Sequence, residues 1–191
     1  MTPIYVYVIN IALVLFLVFA NAFFVVSEFS IVKIRRSKLE ELAHQGSKRA
    51  KIALKINDRL NTYLSAIQLG ITIASLGLGW IGEPAVSKLL EDCFGYWLAD
   101  NPVLLHSISF GVAFTFITLL HVVLGELVPK SLAIQDTERY VLRIAPALYT
   151  FKSPFFVNYA FIIHLSKIYA IILIYFFTQL KILSLWFFLQ R

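Results

Sequence analysis

Residues 4–32 form an apolar segment interrupted by a single charged side chain, that of Glu28. About 20 apolar residues are enough for a helix to cross the hydrocarbon core of a bilayer. The segment is about twice as long as the apolar part of a signal peptide, and no basic residues precede it, so we predict a retained transmembrane helix. Residues 60–81 and 103–128 are similarly apolar, with Glu126 as their only acid. Three such segments predict an integral membrane protein.

Composition supports this prediction and argues against a soluble enzyme. Hydrophobic residues make up 59% of the chain and charged residues 15%, whereas soluble domains are typically about 45–50% apolar. The surplus apolar surface is expected to face lipid. A single cysteine, Cys93, excludes an internal disulfide and a cysteine-rich metal site. We find no glycine-rich phosphate loop, no nucleophile elbow and no metalloprotease histidine pair, so we predict that the chain is not an enzyme.

The basic residues predict the orientation. Residues 33–59 contain nine Lys or Arg against three acids, and the positive-inside rule places such a segment in the cytoplasm. The net charge of +6 therefore indicates an anionic membrane surface rather than a nucleic acid. The N-terminus and the acidic segment 83–106 are then expected outside, with the protein in the plasma (inner) membrane as a multi-pass protein.

The predicted fold class is an all-α membrane protein. It has three transmembrane helices and amphipathic belt helices at the interface, two of them in segment 33–59 with a break at Gly46 and others within residues 133–148. Pro84, after a run of glycines, is expected to end the second transmembrane helix, and Pro129 to end the third. Glu83 is accordingly assigned to a loop. Residues 155–191 are apolar again, and whether they contain a fourth membrane-spanning segment stays open.

Two acids in the apolar segments are candidates for chemistry. An ionisable residue at the centre of a membrane helix costs about 2.5–3.5 kcal/mol on insertion scales, and less near the ends. Both Glu28 and Glu126 lie toward the predicted cytoplasmic ends, so each could simply reach the interface, Glu28 beside Lys33. Glu126 is the stronger candidate because Pro129 lacks the N–H that would bond the carbonyl of Gly125. A free carbonyl beside a carboxylate at a helix C-terminus suits a hard cation.

Polar residues line one face of each predicted helix. In the second helix they recur at helical spacing, and in the third they fall within an arc of about 100°. The alternative is that these small and hydroxylated residues serve helix packing. Oxygen ligands select Mg²⁺ or Ca²⁺ rather than zinc or copper, and His121 is interpreted as a packed or interface residue. The polar faces comprise Asn21, Ser27 and Glu28; Ser65, Gln68, Thr72, Ser75 and Gly79; and Thr115, Thr118, Gly125 and Glu126.

Three stretches together resemble a known family. They read Asn21-Ala-Phe-Phe-Val-Val-Ser27-Glu28, then Gln68-Leu-Gly-Ile-Thr-Ile-Ala-Ser-Leu-Gly-Leu-Gly-Trp-Ile-Gly-Glu-Pro84, then Gly125-Glu-Leu-Val-Pro-Lys130. Their order and spacing resemble the transmembrane domain of the CorC/CNNM family, often labelled hemolysin-related. The resemblance covers residues 5–160, so we expect a transmembrane domain over residues 1–160 and an apolar C-terminal tail over residues 161–191.

The resemblance implies a homodimer of three-helix units in the lipid bilayer. It also implies Mg²⁺ efflux coupled to Na⁺ entry, through a dehydrated site of hydroxyls, carbonyls and one acid. Carried over by motif, the expected ligands are Ser27, Gly125 and Glu126, with Thr72 and Ser75 from the second helix. Asn21 and Ser65 are held in reserve.

Family members usually continue into nucleotide-binding CBS domains and a corC-type domain, which this chain lacks. A truncated or frameshifted product is therefore expected, without CBS-mediated nucleotide binding. Two functions stay open. The first is a divalent-cation transporter, and the second is a non-transporting membrane scaffold or Mg²⁺-sensing module.

Overall fold

A computed structural model describes residues 4–95 and 101–155, with side chains through residue 150. The described part is helical and contains no strand. The chain forms two compact units, Met1–Thr150 and Phe151–Arg191, and nearly all described residues belong to the first. Its elements are α1 (Ile4–Lys33), α2 (Arg36–His44), α3 (Lys48–Asn57), α4 (Leu60–Phe94), α5 (Pro102–Leu120), a π-helical segment (His121–Leu127), α6 (Val128–Gln135) and α7 (Thr137–Phe155).

Three helices are long and apolar enough to cross a membrane. They are Ile4–Lys33, Leu60–Phe94 and the continuous run Pro102–Gln135, which joins α5, the π-helical segment and α6. Helix α1 packs against α4, α6 and the π-helical segment, and α4 packs against α5. The predicted all-α membrane protein with three spanning helices is confirmed.

Neither proline ends its helix, so these two predictions were wrong. Helix α4 continues through Pro84 to Phe94, and the third span continues through Pro129 to Gln135. Glu83 is therefore helical, and the expected loop 83–106 is largely helix. Prolines are tolerated inside membrane helices because neighbouring groups can satisfy the carbonyl that the proline leaves without its usual donor.

The basic segment forms the two short helices that the sequence predicts. Gly46 separates α2 from α3 and has a φ of 93°, in the left-handed region that favours glycine. Ser47 then caps α3, accepting a hydrogen bond from the Ala50 N–H. Arg36 donates to Asp58 at 2.6 Å, and this hydrogen bond raises the pKa of Arg36 above its usual value. The pair is exposed, so it contributes little to stability.

Helices α2, α3 and α7 attach to the spanning helices through an apolar core. We call the end of the bundle that carries this core the basic end, and the opposite end, at Ile4 and Phe94, the far end. Buried aliphatic and aromatic side chains from five helices meet in this core at the basic end. The amphipathic helices therefore form a belt around that end. We call the core the belt core. The buried members are Phe24, Ile31, Leu39, Ala53, Ile56, Tyr63, Ile67, Val141, Ile144, Ala145 and Leu148.

A second, smaller apolar layer lies toward the far end. It joins Val14 and Val18 of α1, Leu78 of α4 and Ile117 of α5. Asn21 lies one helical turn from Val18 on one side and from Phe24 on the other, and it is completely buried. A buried polar residue thus lies between two apolar layers, where an unsatisfied amide would be costly.

The predicted boundary between residues 160 and 161, and the question of a fourth spanning segment, lie outside the described residues.

Candidate ion site

Three polar groups, from α4 and the π-helical segment, meet at Asn21 of α1. The Asn21 side-chain Nδ2 donates to the carbonyl oxygen of Gly125 at 3.1 Å and lies 3.1 Å from Nε2 of His121. The Ser75 hydroxyl is 3.4 Å from Oδ1 of Asn21 and 3.3 Å from the same His121 nitrogen. We call Asn21, Ser75, His121 and the Gly125 carbonyl the polar cluster. It ties α1 and α4 to the π-helical segment.

The hydrogen-bonding capacity of Asn21 fixes the orientation of the cluster. A carbonyl can only accept, so the amide nitrogen must face Gly125 and the amide oxygen must face Ser75. The second amide hydrogen then points at His121, whose Nε2 accepts in this arrangement. Every polar atom of Asn21 thus has a partner although the residue is completely buried.

The closeness of these neighbours favours glycine at position 125. A Cβ there would lie 2.9 Å from Cδ2 of His121 and 3.0 Å from Nδ2 of Asn21. The wide turn of the π-helical segment precedes Pro129, and such turns are frequent at functional sites. In an α-helix, the Gly125 carbonyl would accept from residue 129, but proline has no N–H. Asn21 supplies the missing donor, so this carbonyl is not free as the sequence suggests, although one lone pair remains.

Glu126 lies at the edge of the polar cluster. Its Oε1 is 3.6 Å from His121 Nε2, and its side chain is 48% exposed against 20% for His121. The carboxylate is therefore close to the buried cluster while still open to its surroundings. An approaching cation would meet the negative charge first and the neutral oxygens of Ser75 and Gly125 behind it.

The remaining predicted ligands are not hydrogen-bonded to this cluster. Ser27 is fully buried and donates to the Phe23 carbonyl at 2.7 Å. The hydroxyls of Thr72 and Ser65 likewise donate to carbonyls of their own helix, at 2.8 and 3.1 Å. Each oxygen keeps lone pairs that can accept or ligate. The structure thus joins Ser75, Gly125, Glu126 and the reserve residue Asn21, and leaves Ser27, Thr72 and Ser65 outside the network.

A second polar contact lies nearer the basic end. Nε2 of Gln68 donates to Oε1 of Glu28 at 3.4 Å. This contact links α1 to α4 about two helical turns from Asn21, on the side of the basic end. Glu28 is partly buried and Gln68 exposed. Glu28 is therefore in contact with a polar side chain of α4.

The sequence interpretation missed His121 and underrated Asn21. His121 precedes Gly125 by four residues, so both occupy one helix face, and this spacing was the available signal. Asn21 is the one amide near the middle of α1, where a buried polar group requires partners. No periodicity could show that the two meet, because their contact spans 100 residues of sequence.

The polar cluster lies deep within the length of the spanning helices. Measured along the spanning helices from Lys33, Leu60 and Gln135, its members lie about 15–22 Å from the basic end, well inside the length of a bilayer core about 30 Å thick. Among the described residues, no three His, Cys, Asp or Glu side chains come together. A cation here would accordingly be held by neutral oxygens and one carboxylate, a set that suits Mg²⁺ or Ca²⁺.

Comparisons with known proteins identify the family of the chain. The model of the CNNM family, described as the cyclin M transmembrane N-terminal domain, matches residues 12–180. UPF0053 protein YhdT of Bacillus subtilis is 49% identical over 71% of this chain and 29% of its own length. UPF0053 protein YugS of the same organism is 47% identical over 74% and 32%, and UPF0053 protein sll0260 of Synechocystis is 38% identical over 70% and 30%.

The chain spans about a third of the length of these relatives. The part matched by the family model, residues 12–180, contains every residue of the polar cluster and the whole of the second and third spanning helices, and it begins within the first. Together with the three-helix architecture, these matches show that the chain belongs to the CNNM (UPF0053) family of multi-pass membrane domains.

Proposed function

We propose that this chain is a membrane-embedded transport domain for a divalent cation, Mg²⁺, which passes through a dehydrated site at the polar cluster. The observation that carries the proposal is the position of Glu126 beside Asn21, Ser75, His121 and the Gly125 carbonyl near the middle of the bundle. A carboxylate in a membrane segment is costly and by default marks an ion pathway.

The ligands we propose are Glu126, the Gly125 carbonyl and the hydroxyls of Ser75, Ser27 and Thr72, with Asn21 and Ser65 in reserve. Glu126 supplies the charge that offsets the dehydration of the ion, and the neutral oxygens replace its water. Asn21 holds the Gly125 carbonyl in place and can offer its own Oδ1 if the Ser75 hydroxyl turns away. Na⁺ entry is the proposed source of energy for Mg²⁺ efflux.

Orientation, location and assembly belong to the same proposal. The cluster of Lys and Arg at the basic end favours the cytoplasm, which puts the far end outside the plasma membrane. Helix α5 exposes large apolar side chains, which suit lipid or a second copy of the chain, so we propose a homodimer in the bilayer. Those side chains include Val103, Phe110, Val112, Phe114, Phe116 and Leu119.

The proposal is tested by Mg²⁺ export from loaded proteoliposomes with an inward Na⁺ gradient. Glu126→Gln keeps the shape of the side chain and removes its charge, and it is expected to abolish export. Glu40→Gln is the matched control, because Glu40 is exposed on α2, and it should export like the wild type. Wild-type export by Glu126→Gln would remove this residue from the site, and export independent of Na⁺ would remove the coupling.

A non-transporting scaffold or Mg²⁺-sensing module is the second candidate. It is favoured by the hydrogen bonds within the polar cluster, because the Asn21 amide already has a partner for each of its polar atoms. In this function the cluster only holds the three helices together. The same vesicles distinguish the two functions: Mg²⁺ binding without flux, in this chain and in a full-length relative, supports the second.

A further inference from the structure

A half-enclosed cavity of about 330 Å³ lies between α4 and α5, on the far side of the polar cluster. Ser75 and His121 line it, so the polar cluster forms part of its wall. Thr118 of α5 and Glu83 of α4 line it as well. Glu83 follows Ser75 by eight residues, about 12 Å along the helix toward the far end. The cavity therefore leads from the middle of the bundle toward the far end.

Glu83 is the one acid that lines this cavity. It is partly buried, and within the described residues it forms no hydrogen bond or ion pair. The nearest cation along α4, Lys88, is bonded to Glu91 and Asp92 instead. A carboxylate that lines a cavity in a spanning helix, without a counter-charge, is expensive unless it has a function.

The rest of the lining suits a cation that keeps water. Ser75 and Thr118 contribute hydroxyl groups, and the stacked rings of Phe110 and Phe114 form an aromatic wall, whose faces attract positive charge. Six water molecules occupy about 180 Å³, so the cavity can hold a divalent cation with its first hydration shell. Mg²⁺ in particular gives up its water reluctantly and often binds proteins through one carboxylate.

We propose that this cavity is a second cation site, in which Glu83 and the hydroxyls of Ser75 and Thr118 hold a divalent metal ion that retains much of its water. The proposal extends the proposed function, because the polar cluster would then separate a dehydrated site at Glu126 from a hydrated one at Glu83. Binding at Glu83 does not itself require transport, so the two proposals can fail separately.

The test is Mn²⁺ binding, followed by electron paramagnetic resonance, to the full chain in lipid nanodiscs. The background is Glu126→Gln, which removes the charge of the first site. This variant is expected to retain Mn²⁺ binding, and adding Glu83→Gln should weaken it by about tenfold or more. Adding Glu83→Asp should restore part of it. No Mn²⁺ binding in the Glu126→Gln background, or equal binding after Glu83→Gln, would overturn the proposal.

A second variant tests the cavity itself without touching a ligand. Gly79 lines the cavity, and a Cβ added there meets no atom within 4 Å, so Gly79→Leu should fill the space and lower Mn²⁺ affinity. Gly111→Leu is the matched control, because Gly111 is equally unobstructed but lines a different groove on α5. Equal effects of the two leucines would refute a site in this cavity. The Mg²⁺ export assay with Glu126→Gln, whether export is lost or kept, tests the first site alone and leaves the second site to the Mn²⁺ measurements.

Discussion

The belt core at the basic end and the polar cluster near the middle are held together by different forces. The belt core consists of apolar side chains from five helices, such as Leu39, Ile56 and Ile67, each at most 1% exposed. The polar cluster has few atoms, but each hydrogen bond has a defined direction. Burial of apolar surface is non-directional, whereas a buried amide must find matching donors and acceptors.

This difference assigns stability to one region and ion handling to the other. Removing apolar volume from the belt core should lower the free energy of unfolding and leave the transport rate per folded molecule unchanged. Removing a polar atom from the cluster should change transport at least as much as stability. Three comparisons between variants can break or sharpen this division.

The largest expected effect on stability is that of Ile67→Ala in the belt core. Ile67 is fully buried, and truncating such a residue costs about 2–5 kcal/mol through lost burial and the cavity left behind. Unfolding of the purified protein in mixed micelles measures it. Ile73→Ala is the control, because Ile73 lies on the same helix and is 50% exposed. Equal losses from the two variants would mean that packing at the basic end contributes no special stability.

The next effect is that of Asn21→Ala in the polar cluster. The change leaves the Gly125 carbonyl without its side-chain donor and removes a hydrogen-bond partner of Ser75 and His121. The free energy of unfolding should fall by about 1–3 kcal/mol. Mg²⁺ export should also be lost, because the cluster no longer holds its carbonyl. Ser30→Ala is the matched control on α1: the buried Ser30 hydroxyl has no hydrogen-bond partner among the described residues, so its removal should be nearly neutral. Wild-type stability and export in Asn21→Ala would show that the cluster is incidental.

The spans were predictable from sequence because each is an apolar run long enough to cross a bilayer. The belt helices were predictable because their segments mix charged and apolar residues at helical spacing. The break at Gly46 was predictable too, since the backbone there needs the left-handed region that glycine adopts readily. The helix ends at Pro84 and Pro129 were predicted wrongly, because the rule counts only the hydrogen bond that proline removes within its own helix. At Pro129 the lost donor is replaced from another helix by Asn21.

The candidate site was predictable in its residue types and not in its connections. Ser75, Gly125 and Glu126 were identified from helix faces and motifs, and these faces do meet. Thr72 lies on the same predicted stripe as Ser75, yet its hydroxyl turns to the Gln68 carbonyl of its own helix. Helical spacing places a side chain on a face, but the contact itself depends on rotamer and on the neighbouring helix.

The smallest expected effect on stability is that of Thr72→Val, and comparing it with Ser75→Ala distinguishes the roles of the two residues. Thr72→Val keeps the side-chain shape and removes an exposed hydroxyl that is bonded within α4, so stability should change by less than about 0.5 kcal/mol. Ser75→Ala removes a contact to Asn21 and His121, and such interhelical bonds in membranes are worth about 0.6 kcal/mol on average and at most about 1.7 kcal/mol. If Thr72 is an ion ligand, its variant should lose Mg²⁺ export while remaining as stable as the wild type. Normal export by Thr72→Val would remove Thr72 from the proposed ligands, because its hydroxyl would then have no role beyond its own helix.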